Sequence, residues 1–199
     1  MNNPARAVAQ RRFTATQMLR LGGDVAGGEA LEIGCGRGVG VEIILRTFRA
    51  DQVNAFDLDP KLVASAQRRL ERYSDKVVLS VGTATEIQAP DAAFDAVFDF
   101  GVIHQIEVWR KAVTECARVL RRGGRFYFEA VSKPFYRLPM NMAMARGTPD
   151  VRKIGFDRDT YLSELERNGI DVGSNYIEPR LPITGAFIGD LIGAGTKNR

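Results

Sequence analysis

A chain of 199 residues, 45% hydrophobic and 26% charged, has the length and composition of one soluble globular domain, large enough to bury a core without staples. Its formal charge of +4 permits an anionic substrate or surface and does not demand nucleic acid. No apolar run reaches the roughly 18 residues of a membrane span and the first residues lack a secretory apolar core, while two cysteines, Cys35 and Cys116, make neither a disulfide framework nor a metal site; a reducing, cytoplasmic setting is expected.

The pattern from Pro4 to Leu21 reads as a helix carrying Arg6, Arg11, Arg12 and Arg20 beside Val8, Phe13, Met18 and Leu19. It suits an edge helix with its arginines in water, a lid over a substrate pocket, or a basic face for peripheral contact with an anionic membrane. The run Gly22 to Gly28 is a flexible joint, so residues 1–28 divide from a main domain over 29–199.

Ala30, Leu31 and Ile33 open a short strand that enters a turn with glycines at 34, 36, 38 and 40, followed by a helix over Val41 to Phe48. Strand, glycine loop and helix let backbone approach a ligand, with free N–H groups at the helix start. The dinucleotide spacing G-x-G-x-x-G is not kept, because Val39 and Val41 stand where its third glycine belongs. A second strand, Gln52 to Asp57, ends in an acid 19 residues beyond Gly38, and an acid at such a tip can accept two hydrogen bonds from ribose hydroxyls. Asp59 is a rival for that contact, and Asp59-Pro60 also reads as the cap and first turn of a helix from about Pro60 to Tyr73. Lys76 to Val81 is a third strand, followed by Gly82-Thr83-Ala84-Thr85; Phe94-Asp95 opens a strongly apolar fourth strand.

Asp99 to Glu107 follows that strand at the mouth where α/β sheets bind ligands. His104, the single histidine, is either an imidazole that caps the following helix or bonds to backbone, or a general base or substrate-orienting donor, with Glu107 as a weaker candidate base. A helix over Val108 to Arg121 is stopped by Gly123-Gly124, and Arg125 to Val131 is a fifth strand. Residues 132–156, rich in Met, aromatic and basic side chains, are too long for an ordinary connection and read either as a substrate cover whose basic residues hold an acidic group or as a partly helical cover over the sheet with its arginines in water. A helix over Asp157 to Asn168 stops at Gly169, and Ile170 to Ile177 and Gly185 to Gly193 read as late strands that pair antiparallel. Strands alternating with helices indicate a three-layer α/β sandwich.

The string E-x-G-x-G-x-G from Glu32, Asp57 at its spacing, Phe94-Asp95 before an apolar strand, and V-L-R-R-G-G-R-F-Y before the fifth strand together resemble the class I S-adenosylmethionine-dependent methyltransferases, within them the broad group that includes ubiquinone and menaquinone C-methyltransferases and many small-molecule enzymes. The resemblance implies a Rossmann-like, seven-stranded, mostly parallel sheet with its last strand reversed. It also implies S-adenosyl-L-methionine as cofactor and S-adenosyl-L-homocysteine as product, held by Glu32, Gly34, Cys35, Gly36 and Gly38. Asp57 would take the ribose, with Leu58 beside it; Thr83 and Ala84 would meet the adenine, and Asp99 and Phe100 the methionyl end. Thr83 stands where the family usually carries an acid.

The cofactor then supplies an activated methyl group, and the protein holds an oxygen, nitrogen or carbon nucleophile in line with it. Asp99-Phe100-Gly101-Val102 is not the N/D-P-P-Y/F motif of amino-directed nucleic-acid methylases, Cys116 lies too deep in a helix for a cytosine C5 nucleophile, and no carboxylate metal site is present. A small-molecule acceptor of acidic, lipid or quinone-like character is the expectation. The rivals are a non-catalytic methyltransferase-like binding or scaffolding protein and an NAD-dependent oxidoreductase.

Overall fold

The computed structural model describes residues 4–132, 156–179 and 191–198. Among them, β1 (Glu29–Ile33), β2 (Gln52–Asp57), β3 (Val77–Val81), β4 (Phe94–Phe100) and β5 (Leu120–Ala130) run parallel in the spatial order β3-β2-β1-β4-β5. Parallel neighbours need crossovers, and helices α3 (Val39–Arg46), α4 (Pro60–Leu70) and α5 (Trp109–Val119) supply them. Asp59 caps α4 by accepting the backbone N–H of Lys61 at 2.8 Å.

β8 (Leu191–Lys197) runs antiparallel to β5, and on its far side lie β6 (Ile170–Asp171) and β7 (Tyr176–Ile177). The last strand is therefore reversed, and the sheet is otherwise parallel at its centre. The single strand expected over Ile170 to Ile177 is split: Asp171 pairs with Thr196 and Tyr176 with Gly193, so 172–175 turn out of the ladder, with Gly173 at φ 51. The strand expected at Gly185 to Gly193 lies further on, at Leu191–Lys197, and 185–190 are outside the described residues. Gly193 and Gly195 do not end it. They are close-packing positions, since a Cβ at either would stand 2.3 Å from Phe128 or 2.5 Å from Ile170.

The expected stop at Gly123-Gly124 is also relocated. α5 ends at Val119 and the chain enters β5 at Leu120, opposite Phe94. It bulges out and rejoins the ladder at Arg125 opposite Ala96, because the Arg121 guanidinium grips both Asp95 oxygens at 2.9 Å.

Alternation along the strands sorts side chains onto two faces. Leu31, Ile33, Val97, Phe126 and Phe128 pack beneath α5 and α6 (Arg158–Arg167), with Trp109 and Tyr161. Ala30, Phe98, Phe100 and Tyr127 face α3, α4 and the first helix. That helix is α1 (Pro4–Ala9), a π turn (Gln10–Thr14) and α2 (Ala15–Gly22) in succession. Its Met18 is fully buried in the second core, and the Tyr127 hydroxyl donates to the Gly23 carbonyl at 2.8 Å, so the segment is a layer of the sandwich. Of the arginines read as solvated, Arg6 and Arg11 instead reach buried carboxylates. The proposed cover, 132–156, falls outside the described residues except for its two ends. No described helix is long and apolar enough to cross a membrane.

Candidate functional site

Register aligns the C-terminal strand ends into one edge. Phe56 stands opposite Ile33, Ile33 opposite Asp99, and Phe100 opposite Glu129. The edge therefore carries Asp57, the loop after Ile33, Asp99-Phe100 and Glu129 in that spatial order.

The glycine loop is shaped by backbone that L side chains avoid: Gly34, Gly36 and Gly38 have φ of 65, 53 and 79. Gly38 is the residue before α3, and Cys35 holds the loop to β2 by donating its N–H to the Phe56 carbonyl at 2.8 Å. Gly36 donates to Asp57 Oδ2 at 2.8 Å, and a Cβ on Gly36 would meet nothing within 4 Å, so the loop presents open backbone on that side. Gly40 is needed for a different reason, because its Cβ would lie 1.9 Å from Glu32 Oε1.

Glu32 is buried on the face toward α3, hydrogen-bonded to the Val41 N–H. Its Oε2 has no hydrogen-bond partner among the described residues. Burial, then the negative charges of Asp57 and Asp99, hold this carboxyl well above the usual range. Asp57, half-buried, also accepts the Asp59 N–H at 3.0 Å, and the Gly82 N–H donates to the Asp57 carbonyl at 3.1 Å. That bond brings Thr83 and buried Ala84 beside the β2 tip, where Leu58 is 74% exposed. The Thr83 hydroxyl is shared with that of Thr85 at 2.9 Å.

Asp99 is fully buried and accepts the N–H groups of Gly101, Val102 and Ile103 at 3.0, 2.6 and 3.4 Å, which folds 103–105 into a 3-10 turn. Burial pushes it up to about 7 against those donors. The turn carries His104 into a buried position, where desolvation and then the Arg6 charge pull it down to about 3. His104 is a neutral imidazole whose Nδ1 lacks a hydrogen-bond partner among the described residues. Glu107 is exposed in the turn before α5.

Two residues that sequence reasoning did not select complete the edge. Arg6 Nη2 donates to the Phe100 carbonyl at 3.0 Å, its Nη1 lies 3.5 Å from Glu129 Oε1, and its side chain is only 14% exposed. Glu129 had a readable signal: an acid in the apolar string R-F-Y-F-E-A-V must be paired or functional once that strand is buried. Arg6 had none beyond its charge, since its partner lies 94 residues away.

The family model described as "Methyltransferase domain" matches residues 31–128. A fatty-acid O-methyltransferase of Mycolicibacterium smegmatis is 35% identical over 116 residues, 58% of this chain and 41% of that protein. A demethylmenaquinone methyltransferase of Tropheryma whipplei is 29% identical over 144 residues, 69% and 57% of the two chains. The chain thus spans about half the length of these curated relatives. In fold, it superposes on the geranyl diphosphate C-methyltransferase of Streptomyces coelicolor, solved with S-adenosyl-L-homocysteine, with a TM-score of 0.72 at 19% identity over 92% of this chain and 78% of that one. Residues 31–128 of this chain are thus similar to the methyltransferase-domain family and, within it, to S-adenosylmethionine-dependent methyltransferases.

Proposed function

We propose that this protein transfers a methyl group from S-adenosyl-L-methionine to a small-molecule acceptor of acidic, lipid or quinone-like character. The observation that carries the reading is the gathering of Glu32, Asp57, Asp99 and Glu129 along one strand edge beside a loop of open glycine backbone. A row of carboxyl groups suits a ligand that carries sulfonium and ammonium charges and opposes the pyrophosphate of a dinucleotide. Among the described residues no cluster of acids, cysteines or histidine could hold a metal ion.

The residues fit the cofactor. Glu32 Oε2 is a buried carboxyl oxygen without a hydrogen-bond partner among the described residues, and Gly36 leaves free the volume that a side chain would fill. Asp57 spends two of a carboxylate's roughly four acceptor positions on Gly36 and Asp59, which leaves the others for a pair of ribose hydroxyls. Leu58 offers apolar surface at the same tip, and Thr83 and Ala84 form the adjoining turn. Asp99 shapes the 101–103 backbone, and Phe100 fixes the strand end against Gly40. When bound, the cofactor supplies a methyl group already activated by positive sulfur. The chain has only to orient the acceptor, exclude water and, where the nucleophile carries a proton, take it up. His104 and, more exposed, Glu107 are the candidates for that last task.

Names of the relatives support the acceptor range, a fatty acid in one and a demethylmenaquinone in another. Calorimetric titration of the cofactor-stripped protein with S-adenosyl-L-homocysteine, with NAD as control, tests the reading. Saturable binding of the first alone is expected, and NAD binding in its place overturns it.

A further inference from the structure

We propose that the outer face of the first helix, α3 and α4 is a docking surface for an anionic membrane, centred on Arg11, Arg69 and Arg72. The docking stands on charge and exposure; only its purpose, access to a lipid-like acceptor, rests on the methyl-transfer reading above.

The two helical layers differ in charge. The first helix, α3, α4 and the turn Glu71–Tyr73 carry nine basic side chains and two acidic ones, Glu42 and Glu71, whereas α5 and α6 on the opposite layer carry five and four. Glu42 is buried and holds Arg11, Arg69 and Arg72 from three elements around one carboxylate. One negative charge against three guanidinium groups leaves two positive charges in excess, on side chains that are between 39 and 61% exposed. Each arginine gives one nitrogen to Glu42 and keeps the rest of its donor fork for an acceptor outside the chain. Such forks match phosphate oxygens, and the buried carboxylate fixes three of them side by side. Arg46, exposed and one turn beyond Glu42, adds a fourth cation on the same side of α3. Val8, 51% exposed, stands about one turn before Arg11 and Arg12, so apolar surface accompanies the charge, as on a helix that lies in a lipid interface.

These features favour a layer of lipid phosphates over nucleic acid. Single strands are held by stacking bases on exposed aromatic rings. Among the described residues no large exposed apolar side chain is aromatic, and the Tyr73 ring is covered by the Arg72 guanidinium at 4.8 Å. The surface also adjoins the site. Glu42 follows Gly38 by about 6 Å of helix rise, and a Cβ on Gly38 would stand 2.8 Å from Leu70 at the end of α4. Resting on lipid through this face holds the glycine loop near the headgroups, where a lipid-soluble acceptor emerges.

The test is co-sedimentation of the full chain with vesicles. Phosphatidylcholine vesicles containing about a third phosphatidylglycerol should bind at least about tenfold more tightly than phosphatidylcholine alone, and the difference should fade as salt rises past about 0.1 M. Arg11→Gln, Arg69→Gln, Arg72→Gln and Arg46→Gln should each lower the partition coefficient about fivefold. Arg46→Gln leaves the three Glu42 pairs intact, so it serves even where cutting one of them lowers stability. Lys111→Gln, Arg158→Gln and Arg167→Gln together remove three cations from the opposite layer and should change binding less than about twofold. The proposal is overturned if phosphatidylglycerol adds nothing, or if the opposite-layer triple variant loses as much as the others, which makes net charge the cause. It is also overturned if free pyrophosphate displaces the protein at equal charge, which assigns a soluble phosphate, or if duplex or single-stranded DNA does so, which assigns nucleic acid. Titration of the same samples with S-adenosyl-L-homocysteine tests the methyl-transfer reading separately: vesicle binding without cofactor binding keeps the docking surface and removes that reading.

Discussion

One carboxylate joins the β2 tip to the glycine loop: Asp57 accepts the Gly36 N–H at 2.8 Å through one oxygen and the Asp59 N–H at 3.0 Å through the other. Asp57→Asn removes the charge and replaces an acceptor by a donor facing one of those N–H groups. A charge-assisted contact is worth roughly 1.5–3 kcal/mol, so S-adenosyl-L-homocysteine affinity should fall about ten- to hundredfold. Calorimetry on a variant with wild-type circular dichroism checks this, and unchanged affinity removes Asp57 from the ribose position.

Gly40 and Glu32 form an equally tight pair. A methyl group at 40 would stand 1.9 Å from Glu32 Oε1 and 2.8 Å from Phe100 Cδ2. Gly40→Ala should lower unfolding free energy by about 1–3 kcal/mol, the usual cost of overpacking. The Glu32→Ala, Gly40→Ala double variant should recover part of that loss in urea melts. Simple additivity of the two changes would show that the contact is relieved elsewhere.

Two buried groups after β4 give opposite pH dependences. His104 is pulled from 6.5 to about 3 by burial and then the Arg6 charge. Its unfolded form takes the proton first, so its contribution is complete above 6.5 and is lost progressively as pH falls from there to about 3. Asp99 is pushed from 3.8 to about 7 by burial. Here the folded form takes the proton first, so the contribution is complete below 3.8 and is lost as pH rises through about 7. The two slopes oppose each other between 3.8 and 6.5. Thermal melts of His104→Gln should show stability rising on acidification through that window, and those of Asp99→Asn should show it falling. Superimposable profiles for both variants would exclude titration of either group there.

Glu42, on the first turn of α3, gathers Arg11 from the π turn, Arg69 from α4 and Arg72 from the turn after it, at 2.5, 3.2 and 2.8 Å. The Glu42 side chain is 7% exposed, whereas the arginines are exposed by 44, 39 and 61%. Each arginine can rehydrate when its pair is cut, so replacing any one by alanine should cost under about 1 kcal/mol. Glu42→Gln strips all three pairs at a buried acceptor and should cost about 1.5–3 kcal/mol in urea unfolding. A single arginine variant matching Glu42→Gln would contradict this asymmetry.

Legibility followed the range of the interactions. The turn at Gly34 to Gly38, the acid ending β2 and the Asp59-Pro60 start of α4 were readable because a few neighbouring residues dictate each. The late strands were misplaced because Gly193 and Gly195 look like breakers until Phe128 and Ile170 are seen against them. His104 was visible as a residue type, but its neutrality comes from burial and from Arg6, which no local pattern contains.

The amino-acid order alone determined the α/β class, the glycine loop and the acid at position 57, since backbone preference and hydrophobic period act over one or two turns of chain. Tertiary structure alone decided which charges share the site. Arg6 meets Phe100 and Glu129 only because the fold brings a side chain of α1 to the ends of β4 and β5, and Glu42 meets three arginines only because three separate elements converge on α3. Electrostatic partners are set by where strand ends fall in space, and that order, β3-β2-β1-β4-β5, is not the order of the chain.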